Sequence, residues 1–304
     1  MKKVLIIGGT GTVGSSFLQK YYDRYSFYNI SRSEGNIATL KREYPKVESF
    51  IGDINQLDQL INIFEKVKPD VVIHTAAIKH IDLAEKNPTQ TVRVNVEGSL
   101  NVIKASIRAK VPITVGVSTD KACSPKSVYG YSKYLMEKMF AEHYNENTKF
   151  VCTRFANVAH SKGSVIPFWK GLVKQNNPIK LTSPEMNRLM FSKEDSAELI
   201  QYAIESAEVS NVPFTLSKLM KNVNMLDLAK AMSEDIEIVG LRPGEKLNEA
   251  LISQEEVTKT KVDSDYVFIY EDEQPVEFNV KGEYSSLTAD KMNKEELKYL
   301  INLG

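Results

Sequence analysis

An acid and a base stand side by side at Asp120-Lys121, and eight residues beyond Lys121 the run Tyr129-Gly130-Tyr131-Ser132-Lys133 sets a phenol and an ammonium four positions apart. On a helix such an i, i+4 pair shares one face, so Tyr129 and Lys133 can act together. A tyrosine near its free pKa of about 10 is a poor base at neutral pH, but a neighbouring positive charge favours the phenolate. Tyr129 could then take a hydroxyl proton while hydride leaves the same carbon. Such an oxidation needs neither Asp120 nor Lys121. Those two suit an elimination: a new ketone acidifies the adjacent carbon, Lys121 in its deprotonated form removes that proton, and Asp120 protonates the departing hydroxyl.

Tyr-x-x-x-Lys arises by chance on many helices, so its weight depends on what accompanies it. The apolar run Val4 to Ile7 leads into Gly8-Gly9-Thr10-Gly11-Thr12-Val13-Gly14 and then a helical pattern from Ser15 onward. Glycines at 8, 11 and 14 let the turn close, let a pyrophosphate approach the backbone and let helix pack on strand, while free N–H groups at the helix start bind the anion. A hydride acceptor of the nicotinamide dinucleotide class fits this turn, and its positive ring would favour the Tyr129 phenolate further. The second strand ends in Asn29-Ile30-Ser31-Arg32-Ser33, with no acidic residue for a ribose 2′-hydroxyl. Arg32, assisted by Ser31 or Ser33, suits a 2′-phosphate instead, so NADP is expected over NAD. Asp53-Ile54 after the third strand fits the adenine, and the small Ala76-Ala77 after the fourth lets a cofactor lie flat.

The elements that must position these groups are legible as alternation. Lys3 to Ile7, Ser26 to Ile30, Val47 to Ile51, Val71 to His74, Ile113 to Val117 and Phe150 to Arg154 read as short strands with amphipathic stretches between them. Parallel neighbours need crossover connections, so this rhythm predicts an α/β fold, a Rossmann-like doubly wound parallel sheet covered by helices. Ser118-Thr119-Asp120-Lys121 then falls at the carboxyl end of the fifth strand, the edge where such sheets hold ligands. After about Asn157 the rhythm loosens and prolines punctuate mixed elements. The expected division is therefore a cofactor domain over 1–159 and a smaller mixed α/β substrate-binding lobe over 160–304, with parts of the chain returning to the first domain. The acidic tract Asp263 to Glu277 reads as solvated surface rather than a binding site.

Bulk properties exclude several classes. The 304 residues are 42% hydrophobic and 26% charged, which suits a globular protein with one substantial core. Lys+Arg and Asp+Glu balance at 39 each, so no global positive field draws nucleic acid or an anionic membrane. The apolar run at the start stops at Gly8, too short for a signal core or a span, so a cytoplasmic protein without membrane insertion is expected. Cys123 and Cys152 stand alone, and His74, His80, His143 and His160 show no ligand spacing, so no metal site is expected.

The segments "GGTGTVG", "HTAAIKHIDLAEKNP", "NVEGSLNV", "STDKACSPKSVYGYSK", "RFANVAHSKGSVIPFWK" and "GLRPGEKLNEALIS" together resemble the UDP-N-acetylglucosamine 4,6-dehydratases, extended short-chain dehydrogenases/reductases of polysaccharide and glycan biosynthesis. The resemblance implies catalytic positions at Thr119, Asp120, Lys121, Tyr129 and Lys133. It implies cofactor contacts from Thr10, Thr12, Val13, Asn95 and Lys133 besides the residues named above, and a UDP-sugar held by Lys79, Asn157, Ser164, Arg188, Arg242 and Glu245. The implied reaction oxidises the sugar at C4, eliminates water across C5 and C6 and returns hydride to C6, with no net consumption of NADP. Relatives of this kind commonly form homo-oligomers.

Three places depart from the family pattern. Arg154-Phe155-Ala156-Asn157 replaces Arg-Tyr-Gly-Asn, Met186-Asn187-Arg188-Leu189 replaces Met-Thr-Arg-Phe, and Asn248 replaces a histidine. Asn187 and Asn248 fall in the second lobe, where a difference in substrate or C5 stereochemistry is then expected. Membrane-anchored, C5-retaining relatives commonly carry methionine where this chain keeps Tyr129, so it is more similar to the soluble, C5-inverting branch. A C4 epimerase or 5,6-dehydratase on the same scaffold, and a catalytically silent NADP-binding scaffold, are the alternative readings.

Overall fold

The computed structural model describes residues 1–272 and 280–303. Six strands, β1 (Lys3–Ile7), β2 (Ser26–Ser31), β3 (Glu48–Ile51), β4 (Val71–His74), β5 (Ile113–Thr119) and β6 (Lys149–Phe155), pair in parallel in the order β3-β2-β1-β4-β5-β6. The order reverses between β1 and β4, which leaves a crevice at their carboxyl ends. This is the expected Rossmann-like sheet, with boundaries within one residue or two of those read from the sequence. Along β1 the side chains alternate between two cores: Val4 and Ile6 join Phe17, Val115 and Leu199 on one face, while Leu5 and Ile7 join Phe64, Val72 and Val102 on the other. Burial on both faces explains why central strands such as β1 and β4 read as apolar runs.

Among the described residues the sheet has nine strands, because the second half of the chain returns to it. Phe214–Lys218 adds in parallel beside β6, and the hairpin of Thr260–Asp263 and Tyr266–Tyr270 closes that edge in antiparallel fashion. Half of the tract read as solvated acidic surface is thus an edge hairpin: Asp263 and Asp265 are exposed, but Val267 and Ile269 are buried. Residues 273–277 of that tract lie outside the described residues. The helix Lys193–Val209 also returns, opened by a reciprocal cap between Ser192 and Asp195, and packs Leu199, Ile200 and Ala203 under the sheet.

The smaller lobe has its own core around Trp169, the chain's single tryptophan, whose indole N–H donates to Lys180 O at 3.1 Å. That core draws on three separated stretches, Ala159 to Met190, Val223 to Ala229, and Leu297 to Leu300. Strand Asn187–Phe191 lies between Asn157–Val158 and Asn222–Asn224, and Ile179–Leu181 pairs with Ile236–Ile238. The lobe sits over the carboxyl ends of the sheet strands, and the cleft between the two parts has a volume of about 920 Å³.

Candidate active site

The glycine-rich turn closes on the sheet. Gly8 has φ of +91°, and a Cβ there would meet Thr75 Oγ1 at 2.7 Å, so the position demands glycine twice over. A Cβ on Gly14 would sit 2.7 Å from Gly9 Cα in the turn and 3.2 Å from Ile6 Cγ2 on β1, so the helix packs there without room for a side chain. The following helix starts at Thr12 rather than Ser15, with Gly11 as an N-cap that offers no side chain to the first-turn amides. Those N–H groups therefore face the cleft beside Gly8, Thr10, Gly11, Thr12 and Val13, and a pyrophosphate fits them. Asn29, which carried no functional signal in sequence, holds the turn from β2: its Oδ1 accepts from Gly9 N at 3.0 Å and from Ser31 Oγ at 3.1 Å.

Ser31, Arg32, Ser33 and Asn36 form one rim of the cleft. Ser31 is buried and its hydroxyl lies 3.1 Å from Thr10 Oγ1, whereas Ser33 caps the helix Glu34–Glu43 by accepting from Asn36 N. Arg32 is exposed at the mouth. Gly52 and Ile54 line the wall, while the Asp53 carboxylate between them accepts from Asn55 N at 3.0 Å. Ala76 and Ala77 line the floor. Asn95 reaches this floor through the backbone: it bonds Ile78 N at 2.8 Å and Ile78 O at 2.9 Å, and its amide also donates to Ser132 Oγ at 2.9 Å. Asn95 thus clamps the floor to the helix Val128–Glu142.

That helix presents Tyr129 and Lys133 to the cleft beside Ser118, Thr119 and Lys121. It fits so closely because of Gly130, where a Cβ would lie 2.3 Å from Lys121 O. Burial raises the Tyr129 phenol well above its ordinary value; a hydrogen bond with Thr119 opposes this and the charge of Asp120 adds to it. Burial lowers Lys133 to about 8, against the pull of Cys152 and Glu137. The Lys133 ammonium donates to Val117 O at 2.7 Å rather than to Tyr129.

Asp120 is fully buried. Its Oδ1 accepts from Thr119 Oγ1 at 2.8 Å and from Lys121 Nζ at 2.9 Å, and its Oδ2 has no partner. Glu249 approaches from the other side, with Oε1 3.9 Å from Lys121 Nζ and Oε2 3.5 Å from Lys246 Nζ. Sequence reasoning gave Glu249 no role, although it lies inside the segment "GLRPGEKLNEALIS", because only folding brings it to Lys121. Burial raises its carboxyl, Lys121 pulls it down and Asp120 pushes it up.

The residues implied to hold the sugar nucleotide come from both parts of the chain. Lys79, Asn157, Ser164, Arg188, Arg242 and Glu245 all line the cleft. Lys79 is lowered by burial and donates to Lys162 O at 2.8 Å. Ser164 heads the helix Val165–Lys174 with its hydroxyl buried and unpartnered. Glu245 accepts from Arg242 Nη2 at 2.8 Å and lies 3.7 Å from Arg188 Nη2. Burial works against its ionisation, but the Arg242 hydrogen bond and charge outweigh that and hold it below the usual carboxylate range. Buried hydroxyls without protein partners, at Ser118 and Ser164, mark points where a polar ligand can bond.

The departures at Asn187 and Asn248 face each other rather than the cleft, and the pair is bonded at 3.1 Å. Among the described residues no group of three or more His, Cys, Asp and Glu is placed to hold a metal, and no helix is long and apolar enough to cross a membrane.

The family model described as polysaccharide biosynthesis protein matches residues 4–271. The chain belongs to that family. Within this polysaccharide biosynthesis family, it is 33% identical to a UDP-N-acetylglucosamine 4,6-dehydratase (inverting) of Campylobacter jejuni, over 84% of this chain and 78% of the relative. It is 31% identical to a UDP-glucose 4-epimerase of Rickettsia bellii, over 99% of this chain and 95% of the relative. Among solved structures, Pen from Bacillus thuringiensis superposes with a TM-score of 0.90 at 33% identity, covering 99% of this chain and 97% of that one. A dTDP-glucose 4,6-dehydratase of Streptomyces venezuelae, solved with NAD, shares the fold at a TM-score of 0.72 and 18% identity, over 81% of this chain and 86% of that one.

Proposed function

We propose that this protein is an NADP-dependent UDP-N-acetylglucosamine 4,6-dehydratase that inverts C5 and makes a 4-keto-6-deoxy sugar for surface glycan synthesis. The observation that carries the reading is the Asp120–Lys121 pair, 2.9 Å apart at the end of β5, whose Lys121 faces the same cleft as Tyr129 and Lys133. An epimerase or simple dehydrogenase has no use for a second acid and base there. The pair also carries the right number of protons. Moving one proton along the Lys121 Nζ–H···Oδ1 bond turns carboxylate and ammonium into carboxylic acid and free amine, the forms an elimination needs.

Tyr129 takes the proton of the sugar C4 hydroxyl, as a phenolate favoured by the Lys133 ammonium and a positive ring beside it. A dinucleotide held along the Gly8 to Gly14 turn would supply the hydride chemistry at C4 and C6. Lys121 removes the C5 proton, which the C4 ketone has acidified. Asp120 gives its proton to the C6 hydroxyl, which leaves as water, and the Asp120–Lys121 ion pair is restored; when hydride adds at C6, C5 takes up a proton exchanged with solvent, matched by the one Tyr129 gives up in returning to phenolate. The Gly8 to Gly14 turn orients the pyrophosphate of the dinucleotide. Arg32 at the rim supports a 2′-phosphate, although the Streptomyces relative holds NAD. Lys79, Ser164 and Arg242 suit the sugar-nucleotide diphosphate, and Glu245 suits a ribose diol. Inversion is supported by the Campylobacter relative and by the presence of Tyr129. Tyr131, Tyr134 and Leu135, exposed together on one helix, support assembly with further copies of the chain.

Incubation with UDP-N-acetylglucosamine in deuterated water tests the reading: a 4-keto-6-deoxy product carrying deuterium at C5 is expected, and unchanged substrate without label refutes it. The Rickettsia relative favours C4 epimerisation as a second reading. NMR separates the two, since an epimer keeps its oxygen at C6.

A further inference from the structure

The Lys121 ammonium lies between two buried carboxylates that come from opposite parts of the chain. Asp120 follows β5, while Glu249 precedes the strand Ala250–Ile252, and each is at most 1% exposed. Glu249 is held in place by its backbone, its N–H donating to Ser286 Oγ at 3.0 Å and its carbonyl accepting from Ser286 N at 2.8 Å. Its Oε2 has no hydrogen-bond partner, and Lys246 Nζ, 3.5 Å away, spends its short bond of 2.7 Å on Ser124 O. The ionisable groups around Glu249 are therefore Asp120, Lys121, Lys246 and Arg188.

Asp120 cannot serve as the counter-ion throughout the proposed elimination, on which this inference rests. While Lys121 takes up the C5 proton and becomes positive, Asp120 still holds the proton destined for the C6 hydroxyl and is neutral. The remaining anion beside Lys121 is Glu249. We propose that Glu249 is a positioning residue for C5 deprotonation: its carboxylate, 3.9 Å from Lys121 Nζ, orients the amine and stabilises the charge that develops on it. The group touches neither sugar nor cofactor and acts through Lys121.

The test compares wild type with Glu249→Gln and Glu249→Asp, using UDP-N-acetylglucosamine deuterated at C5 or at C4. For Glu249→Gln, kcat falls about ten- to a hundredfold at little-changed KM. The isotope effect on kcat from C5 deuterium rises while that from C4 deuterium does not, because only the C5 step is slowed. Glu249→Asp, which keeps the charge, recovers part of the rate. Isotope effects report on active molecules alone, so partial misfolding of a variant does not imitate this pattern. Unchanged kcat and C5 isotope effect in Glu249→Gln overturn the proposal, since glutamine then mimics a carboxyl that was neutral all along. A loss of rate with unaltered isotope effects also overturns it, as the mark of a merely structural role. If wild type makes no 4-keto-6-deoxy product, the dehydratase reading itself fails, an outcome distinct from a working enzyme indifferent to Glu249.

Discussion

Asn187 Nδ2 donates to Asn248 Oδ1 at 3.1 Å, so two of the places where this chain leaves the family pattern are one contact. Asn187 Oδ1 also accepts from Asn222 Nδ2 at 3.3 Å and Asn224 Nδ2 at 3.2 Å, which ties three lobe segments together. The neighbouring Arg188 bonds Leu247 O at 3.0 Å and Lys246 O at 2.8 Å. The pair therefore sets where Arg188 and Glu249 stand. Asn187→Ala and Asn248→Ala should each lower stability by about 1 kcal/mol, and the double variant should lose less than the sum by about 0.5 kcal/mol or more. Urea unfolding of the four proteins checks this; strict additivity would mean the contact carries no energy.

Tyr129 and the Asp120–Lys121 pair should fail in different ways. Tyr129→Phe blocks oxidation at C4, and without the ketone no deuterium enters C5. Asp120→Asn combined with Lys121→Met leaves oxidation possible, so adding UDP-N-acetylglucosamine to the cofactor-loaded variant should produce the absorbance of reduced nicotinamide with no dehydrated product. Each loses about 10²-fold or more in turnover. The same behaviour in both variants would contradict the division of labour.

Arg32 at the cleft rim decides between two dinucleotides. Arg32→Ala should weaken NADP binding by about tenfold to a hundredfold, the worth of a charge-assisted hydrogen bond, while leaving NAD binding nearly unchanged. Titration calorimetry with both cofactors measures the difference. Equal losses for the two would leave NADP without its basis.

Glu256 ties the segment before the Thr260–Asp263 strand to the sheet through a largely buried charge network, accepting from Arg154 Nη2 at 2.8 Å while Arg154 also pairs with Glu137 at 2.7 Å. Burial opposes ionisation of Glu256, but the charge and hydrogen bonds of Arg154, with the Ser253 amide, carry it down from 4.5 to about 2. A depressed carboxyl binds fewer protons folded than unfolded, so its stabilisation is complete above pH 4.5 and fades as pH falls towards 2. Glu256→Gln should thus be less stable than wild type by about 3 kcal/mol at neutral pH, with the gap closing over that acid window. Chemical melts at several pH values would show it. A gap independent of pH would assign the loss to packing instead.

The centre of the sheet was legible because its strands are buried on both faces, which makes Val4 to Ile7 and Val71 to Ile73 apolar runs. The glycine turn and Tyr129–Lys133 were legible because their spacing is local. The helix start at Thr12 was not, since Gly11 caps it without a side chain and leaves no N-cap signature. Glu249 was invisible for a different reason: its meaning lies in a contact with Lys121, 128 residues away, and in burial that no local pattern records. Phe214–Lys218 and the Thr260 to Tyr270 hairpin were not read as sheet strands: in the first, Thr215 and Ser217 interrupt the apolar run although both are buried, and the hairpin's outer strand is a partly solvated edge.

The smaller lobe's core, assembled from three stretches with returns to the sheet between them, restricts how such proteins can change. A lobe made from one continuous stretch can be exchanged whole by a single recombination event, carrying a new substrate preference with it. Here the chain is sewn back and forth, and any one transplanted stretch would meet two foreign neighbours inside the same core. New specificity is more readily reached by paired point changes within the seams, of which the asparagines at 187 and 248 are an example.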